Sequence, residues 1–266
     1  MLTHPQFDPV AIKFTETFGV HWYGLMYVVG FLAFLFLGKY RARKPGSPIT
    51  PDQVDDILFY GALGVVLGGR LGSVLFYNFG QFLEEPLMLF RIWEGGMSFH
   101  GGLIGVSFAA FLLARKFGLP LLKVSDFIAP LVPLGLCAGR IGNFINAELW
   151  GRPTDGPWGM IFPNVDNLPR HPSQLYQAAL EGLALFIILW LFSKKPRPMG
   201  AVSGLFLVGY GIARFIVEFV RVPDEHLGFV AFDWMSQGQL LSIPMILLGV
   251  FLIVWGYKRK PVTAGA

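Results

Sequence analysis

The residues best equipped for chemistry lie in Gly139-Arg140-Ile141-Gly142-Asn143-Phe144-Ile145-Asn146-Ala147-Glu148-Leu149-Trp150-Gly151. This run closes an apolar stretch that begins near Phe127 and is long enough to cross a bilayer. A charge at hydrocarbon depth costs about 3 kcal/mol on insertion scales, so Arg140 needs a partner or a task. Gly139 and Gly142 flank it, and glycine lets a backbone or a ligand come close. Asn143 and Asn146 add amide groups beside it. A guanidinium fork with amide donors next to it suits a phosphate. The competing reading is structural: Arg140 paired with Glu148 or capped by backbone carbonyls.

A second set is Tyr210, Arg214 and Glu218, spaced four apart and therefore on one face of a helix. The bland reading is an Arg–Glu pair that neutralises itself in the membrane. The functional reading makes Arg214 a second phosphate-binding arginine oriented by Glu218. His100 sits in Ser98-Phe99-His100-Gly101-Gly102-Leu103-Ile104-Gly105. Histidine is the side chain most easily set to take a proton near neutral pH. A hydrogen-bonded structural histidine is the alternative, and Gly101 to Gly105 is also a helix-packing pattern. Arg70, in Gly68-Gly69-Arg70-Leu71-Gly72, echoes the first motif weakly and ranks behind the other arginines. Tyr23 and His21 read by default as members of an interfacial aromatic belt. His171-Pro172-Ser173-Gln174-Leu175-Tyr176 opens an apolar stretch, with proline at the first turn of a helix.

Other chemistries find no support. The scattered histidines and the lone Cys137 make no metal cluster, and no cofactor is implied. Gly-x-Ser-x-Gly and a Walker loop are both absent. Cys137 lies among small residues in an apolar run and reads as packing. A nucleophile would have to come from a substrate.

The elements that must position these residues are membrane helices. The chain is 54% hydrophobic and only 14% charged, against roughly a quarter charged in soluble domains. Its net charge of +4 does not indicate nucleic acid, because the basic residues cluster at the ends of apolar runs. The expected fold is an all-α polytopic membrane protein of about seven transmembrane helices in one domain over 1–266. The spans read as 20–38, 57–77, 97–114, 127–146, 175–192, 202–220 and 239–257. The first reads as a retained span, not a cleaved signal peptide. Amphipathic pieces at 7–18 and 81–92 could lie in the interface, and a short low-complexity tail follows Pro261.

Orientation follows from lysine and arginine. Lys39, Arg41, Arg43 and Lys44 follow the first span; Arg115, Lys116 and Lys123 the third. Lys194, Lys195 and Arg197 follow the fifth, and Lys258, Arg259 and Lys260 the seventh. The opposite side has only Lys13, Arg91, Arg152, Arg170 and Arg221. The N-terminus is therefore expected outside and the C-terminus in the cytoplasm. Arg70, Arg140 and Arg214 then fall late in outward-running spans. His21, Tyr23, His100 and Glu181 fall early in inward-running ones. All reach one depth in the outer half of the bilayer, which predicts a polar chamber there. The loop 147–173 is placed to cover it.

The run from Gly139 to Gly151 resembles the signature of the bacterial phosphatidylglycerol–prolipoprotein diacylglyceryl transferase family. His100-Gly101-Gly102-Leu103-Ile104-Gly105, His171-Pro172-Ser173-Gln174-Leu175-Tyr176 and Arg214-Phe215-Ile216-Val217-Glu218-Phe219 also resemble that family. The resemblance implies a seven-span bacterial inner-membrane enzyme with its active site toward the periplasm. It implies transfer of the diacylglyceryl group of phosphatidylglycerol to a lipobox cysteine thiol in a prolipoprotein signal peptide. A thioether forms and glycerol phosphate leaves. Arg140 and Arg214 would hold the lipid phosphate, and His100 is the candidate base. Tyr23, Asn143, Glu148, Gly151, Tyr210 and Glu218 would shape the site, with Arg70 behind them. An anion transporter or channel is the second class. It would need polar residues at all depths, whereas the inner halves of these spans are almost free of charge. A structural subunit with merely paired arginines is the third.

Overall fold

A computed structural model of the chain describes residues 2–15, 19–91, 95–223 and 228–259. The tail after Pro261, Lys260, and parts of both amphipathic pieces (16–18 and 92) lie outside the described residues. The chain packs as two compact units, Met1–Phe34 with Asp126–Ala266, and Leu35–Ser125.

The chain opens with strands β1 (Leu2–Thr3), β2 (Val10–Lys13) and β3 (Gly19–His21) and helix α1 (Trp22–Ala42). Next come α2 (Pro51–Tyr77), α3 (Phe79–Glu84), a 3-10 turn at Pro86–Phe90, α4 (Phe99–Lys116), α5 (Leu121–Ile128) and α6 (Val132–Ile145). Strands β4 (Met160–Ile161) and β5 (Pro169–Arg170) lie in the following loop. Then come α7 (Ser173–Gln177), a π-helical segment Ala178–Ala184, α8 (Leu185–Phe192) and α9 (Ala201–Val217). Strands β6 (Phe229–Ala231) and β7 (Met235–Ser236) lead into α10 (Gln237–Lys258). The helices bear out a polytopic membrane protein. The strands are short loop pairings: β1 with β4, β4 with β5, β2 with β3, and β6 with β7.

Four helical stretches are long and apolar enough to cross a membrane: Trp22–Ala42, Pro51–Tyr77, Ser173–Phe192 and Gln237–Lys258. A fifth arises if α4 and α5, bent by 118°, are taken as one. Val132–Ile145 and Ala201–Val217 are apolar but shorter. The apolar stretch expected as one span over 127–146 is broken. Helix α5 ends at Ile128 and α6 begins at Val132. Pro130 and Pro133 sit at the break, where each removes a backbone donor. Helix α2 starts earlier than its apolar run. Thr50 and Gln53 form a capping box, which makes a helix of a polar turn that hydropathy does not reveal.

Packing is the inverse of a soluble core. Large apolar side chains such as Phe36, Phe76, Ile104 and Phe251 are exposed, and glycines line the helix contacts. In the smaller unit α2 and α4 cross so closely that a Cβ on Gly105 would lie 2.0 Å from the Gly64 carbonyl oxygen. A groove of about 820 Å³ on this pair, lined by Leu63, Leu67, Leu71, Leu75 and Phe108 among others, is almost wholly apolar. Among its lining residues only Tyr60 and Lys116 carry polar side-chain atoms. In the larger unit α9 packs on α10 through Gly204 and Gly249. The first turn of α9 is capped by a distant carboxylate. Asp126 accepts from the backbone of Gly200 at 2.6 Å and Ser203 at 2.8 Å, and from the Ser203 hydroxyl at 2.7 Å. That satisfies helix donors left without intrahelical partners.

Candidate active site

Arg140 lies late in α6 and Arg214 late in α9. Both reach the same carboxylate. Arg140 Nη2 is 3.6 Å from Glu181 Oε2, and Arg214 Nη1 is 4.0 Å from Glu181 Oε1. Glu181 is fully buried, and the Gln177 amide donates to its Oε1 at 3.2 Å. Arg140 also points Nη1 toward Asn143 Oδ1 at 3.5 Å. The Tyr210 hydroxyl lies within electrostatic reach of Arg140, Arg214 and Glu181. Side chains from three separate stretches thus meet at one place. The ion pair of Arg140 is with Glu181 and not with Glu148, the partner weighed from sequence.

Two local features bring Glu181 there. It sits in the π-helical segment Ala178–Ala184, whose wider turn re-aims side chains relative to an α-helix. The next residue, Gly182, presses on α6, where a Cβ would lie 2.5 Å from the Cys137 Cβ. Cys137 therefore serves as a packing surface, as its neighbours in sequence suggested. Gly142 does the same for Tyr23: a Cβ would fall 2.8 Å from the tyrosine ring. Tyr23 thus sits against the motif helix and packs edge-on to Tyr27. His21 is exposed at the end of β3.

Glu218, buried at the end of α9, gathers three donors. Arg214 Nη2 lies at 2.7 Å, Arg221 Nη1 at 3.0 Å and the Ser236 hydroxyl at 2.5 Å. The four-residue spacing of Arg214 and Glu218 does produce an ion pair, but Glu218 is shared and does not neutralise Arg214 alone.

Glu148 accepts from Asn143 Nδ2 at 3.3 Å and Asn146 Nδ2 at 3.2 Å. Its neighbours Ala147 and Leu149 both have φ of 54°, the left-handed region that costs a side-chain-bearing residue about 1 kcal/mol or more. Such strain persists where the surroundings impose it. Here Gln174 Nε2 donates to the Glu148 carbonyl, and the Ser173 hydroxyl to that of Leu149 at 2.7 Å. The His171-Pro172-Ser173-Gln174 run, read from sequence as helix punctuation, is the clamp on this turn.

The loop 147–173 is stitched down as well. Gly151 donates to the His171 carbonyl at 2.8 Å and bridges Arg221. A Cβ on Gly151 would lie 2.5 Å from the His171 oxygen and 2.7 Å from that of Val220, so the contact demands glycine. Arg170 stacks over Trp150, donates to the Gly151 carbonyl at 3.2 Å and pairs with Asp166 at 2.5 Å. That guanidinium holds the Asp166 carboxyl below its usual range. Burial lowers His171, whose Nδ1 faces the Tyr176 hydroxyl at 3.2 Å. At the other end of the loop, His4 stacks on Phe162 and meets the Phe144 carbonyl at 2.7 Å, tying the N-terminal strand to α6.

The larger unit therefore brings together Tyr23, Arg140, Asn143, Glu148, Gly151, Tyr210, Arg214 and Glu218. Arg70 and His100 belong to the smaller unit. Arg70 is buried, and its donors go to the backbone carbonyls of Met88, Leu89, Gly95 and Gly96. There it holds the segment that leads into α4. His100 is exposed in the first turn of α4, with its ring edge-on to Phe99. The residue that sequence reasoning left without a role is Glu181. Its signal was an acid inside an apolar stretch at the arginines' depth. Among the described residues no cluster of histidine, cysteine and carboxylate could hold a metal.

A family model described as prolipoprotein diacylglyceryl transferase matches residues 9–255. A protein of Nitrosospira multiformis named phosphatidylglycerol–prolipoprotein diacylglyceryl transferase is 61% identical over 266 residues, covering 99% of this chain and 92% of that relative. Proteins of the same name from Cupriavidus metallidurans and Legionella pneumophila (strain Corby) are 60% and 58% identical. They cover 97% of this chain each, and 97% and 100% of their own lengths.

Proposed function

This chain belongs to the prolipoprotein diacylglyceryl transferase family, and we propose that it moves the diacylglyceryl group of phosphatidylglycerol onto the lipobox cysteine of a prolipoprotein signal peptide. This is the first step of bacterial lipoprotein maturation. The observation that carries the reading is the approach of Arg140 and Arg214 to one buried carboxylate, which puts two guanidinium forks beside each other.

The reaction is displacement at a saturated carbon. The cysteine thiol gives up its proton, since the thiolate is the nucleophile. Sulfur bonds to the glyceryl carbon that carries the phosphate. The carbon–oxygen bond breaks, and its electron pair stays on the phosphate oxygen. Glycerol phosphate leaves with one more negative charge than the diester carried. Arg140 and Arg214 would grip the phosphate and meet that growing charge, the kind of electrostatic aid worth a few kcal/mol in a barrier. Asn143 and Tyr210 would orient Arg140, and Glu218 with Arg221 would hold Arg214. Tyr23, Glu148 and Gly151 would shape the wall. His100 remains the candidate base, and Arg70 a support for the strand of chain before it. No cofactor enters the scheme.

Topology follows the same reading. The whole chain acts as one inner-membrane catalytic domain of seven spans. The two shorter apolar helices and the α4–α5 pair are counted among them. The N-terminus and the loop 147–173 face the periplasm, as does the site; the C-terminus is cytoplasmic. Arg140 and Arg214 fall late in their helices and Glu181 early in its own, and their meeting supports a single depth. The partners are then phosphatidylglycerol, lipobox peptides and bilayer lipid, with no nucleic acid.

The test uses purified protein, phosphatidylglycerol and a lipobox peptide, with glycerol phosphate release followed. Arg140→Ala is expected to lower release by about a hundredfold or more while the protein still inserts. No release from folded wild-type protein would overturn the assignment.

A further inference from the structure

Glu181 is a buried titratable group for which the displacement needs no chemistry. It is fully buried, and a carboxylate taken out of water costs several kcal/mol unless charges compensate it. Its compensation is unusual. The Arg214–Glu218 pair is closed at 2.7 Å, whereas Glu181 stands 3.6 Å from Arg140 and 4.0 Å from Arg214. Glu181 Oε2 and Arg214 Nη1 are both buried without a hydrogen-bond partner among the described residues. The carboxylate therefore offsets the arginines' charge through space while leaving Arg214 Nη1 without a hydrogen bond among the described residues. Gln177 holds it in that position from one turn earlier.

We propose that Glu181 is the internal counter-anion of the headgroup site, limiting how tightly Arg140 and Arg214 hold a phosphate so that the product can leave. This rests on those arginines being the headgroup site. The need arises from the charge change in the reaction. The diester carries one negative charge, while a phosphate monoester carries close to two near neutral pH. Coulomb attraction in a partly dry site therefore favours the leaving group over the substrate. Tight binding of a ground state does not speed turnover, and tight binding of a product slows it. A fixed carboxylate beside both guanidiniums weakens the hold on the more charged species most. Among the described residues only Glu218 otherwise makes an ion pair with either arginine.

The experiment uses the full chain, purified in detergent, as wild type, Glu181→Gln and Glu181→Asp. Glutamine keeps the shape and a partner for Gln177 but removes the charge. Aspartate keeps the charge but draws it back by one methylene. Binding of glycerol 1-phosphate is measured directly by calorimetry, beside steady-state transfer from phosphatidylglycerol to a lipobox peptide. Glu181→Gln is expected to bind glycerol 1-phosphate about tenfold tighter and to lower KM and kcat together. Inhibition by added glycerol 1-phosphate should rise about tenfold. Glu181→Asp is expected to tighten binding by about two- to threefold, and it decides the matter if the glutamine variant does not fold. Unchanged or weaker binding in the variants overturns the proposal, as does a variant that loses kcat with KM unmoved. No binding to any of the three proteins overturns it too. If wild type binds glycerol 1-phosphate yet transfers nothing, the transferase reading fails while the binding comparison still judges Glu181.

Discussion

Gly182 lies so close to Cys137 that a Cβ on the glycine would come within 2.5 Å of the cysteine Cβ. This contact seats the π-helical segment on α6, one residue from the carboxylate that both arginines approach. Site geometry thus depends on the absence of a side chain at Gly182.

Gly182→Ala is expected to push the π-helical segment away from α6. Overpacking of this kind costs about 1–3 kcal/mol. The variant should unfold at lower temperature, and its transfer activity should fall by about tenfold or more through misplacement of Glu181. Thermal unfolding in detergent and glycerol phosphate release check the two effects. A fully active, fully stable variant would mean that the contact is slack.

Gly151→Ala is expected to part the Gly151–Arg221 bridge, because its Cβ would meet the carbonyl oxygens of His171 and Val220. Backbone oxygens at 2.5 and 2.7 Å cannot rotate aside as a side chain can. Loss of about 1–3 kcal/mol is expected. The loop 147–173 should also be cut sooner by a protease, with activity reduced. Limited proteolysis followed by mass spectrometry locates the cut.

Loop anchoring should depend on pH through Asp166. Arg170 holds that carboxyl below its usual value, so the folded loop binds its proton less readily than the unfolded chain. The sign follows by linkage. The anchor contributes fully above the ordinary carboxylate range and is lost as pH falls through the lowered value. His171, lowered by burial, adds a loss in the same direction as pH drops below the ordinary histidine range. Emission from Trp150, on which Arg170 stacks, should change on acidification below about pH 4 in wild type. Asp166→Asn should show the changed emission already at neutral pH, with the low-pH step gone.

Much of this protein could be read without coordinates, and the reasons are local. An apolar composition, with basic residues at the ends of apolar runs, requires a membrane solvent whatever the packing. Arg140 and Arg214 stood out because a charge in an apolar stretch is expensive wherever it lies. Tyr210, Arg214 and Glu218 share a face because a helix repeats every 3.6 residues. Each inference needs only the bilayer or the geometry of one helix.

What stayed hidden depends on chain segments remote in sequence. Glu181 was visible as a buried acid, but its two arginines come from other helices, and no spacing rule links them. The π-helical segment does not show in a hydropathy pattern, which is blind to a single widened turn. Ser173 and Gln174 looked like the start of a helix. Only the folded chain reveals that they hold Glu148 between two left-handed residues. Arg70 matched the first motif in letters, yet its guanidinium is spent on four carbonyls. Composition and helical period determined where charges must be compensated. Tertiary structure decided which groups compensate them, because a partner across helices is chosen by packing, and packing here runs through glycines whose neighbours no local pattern names.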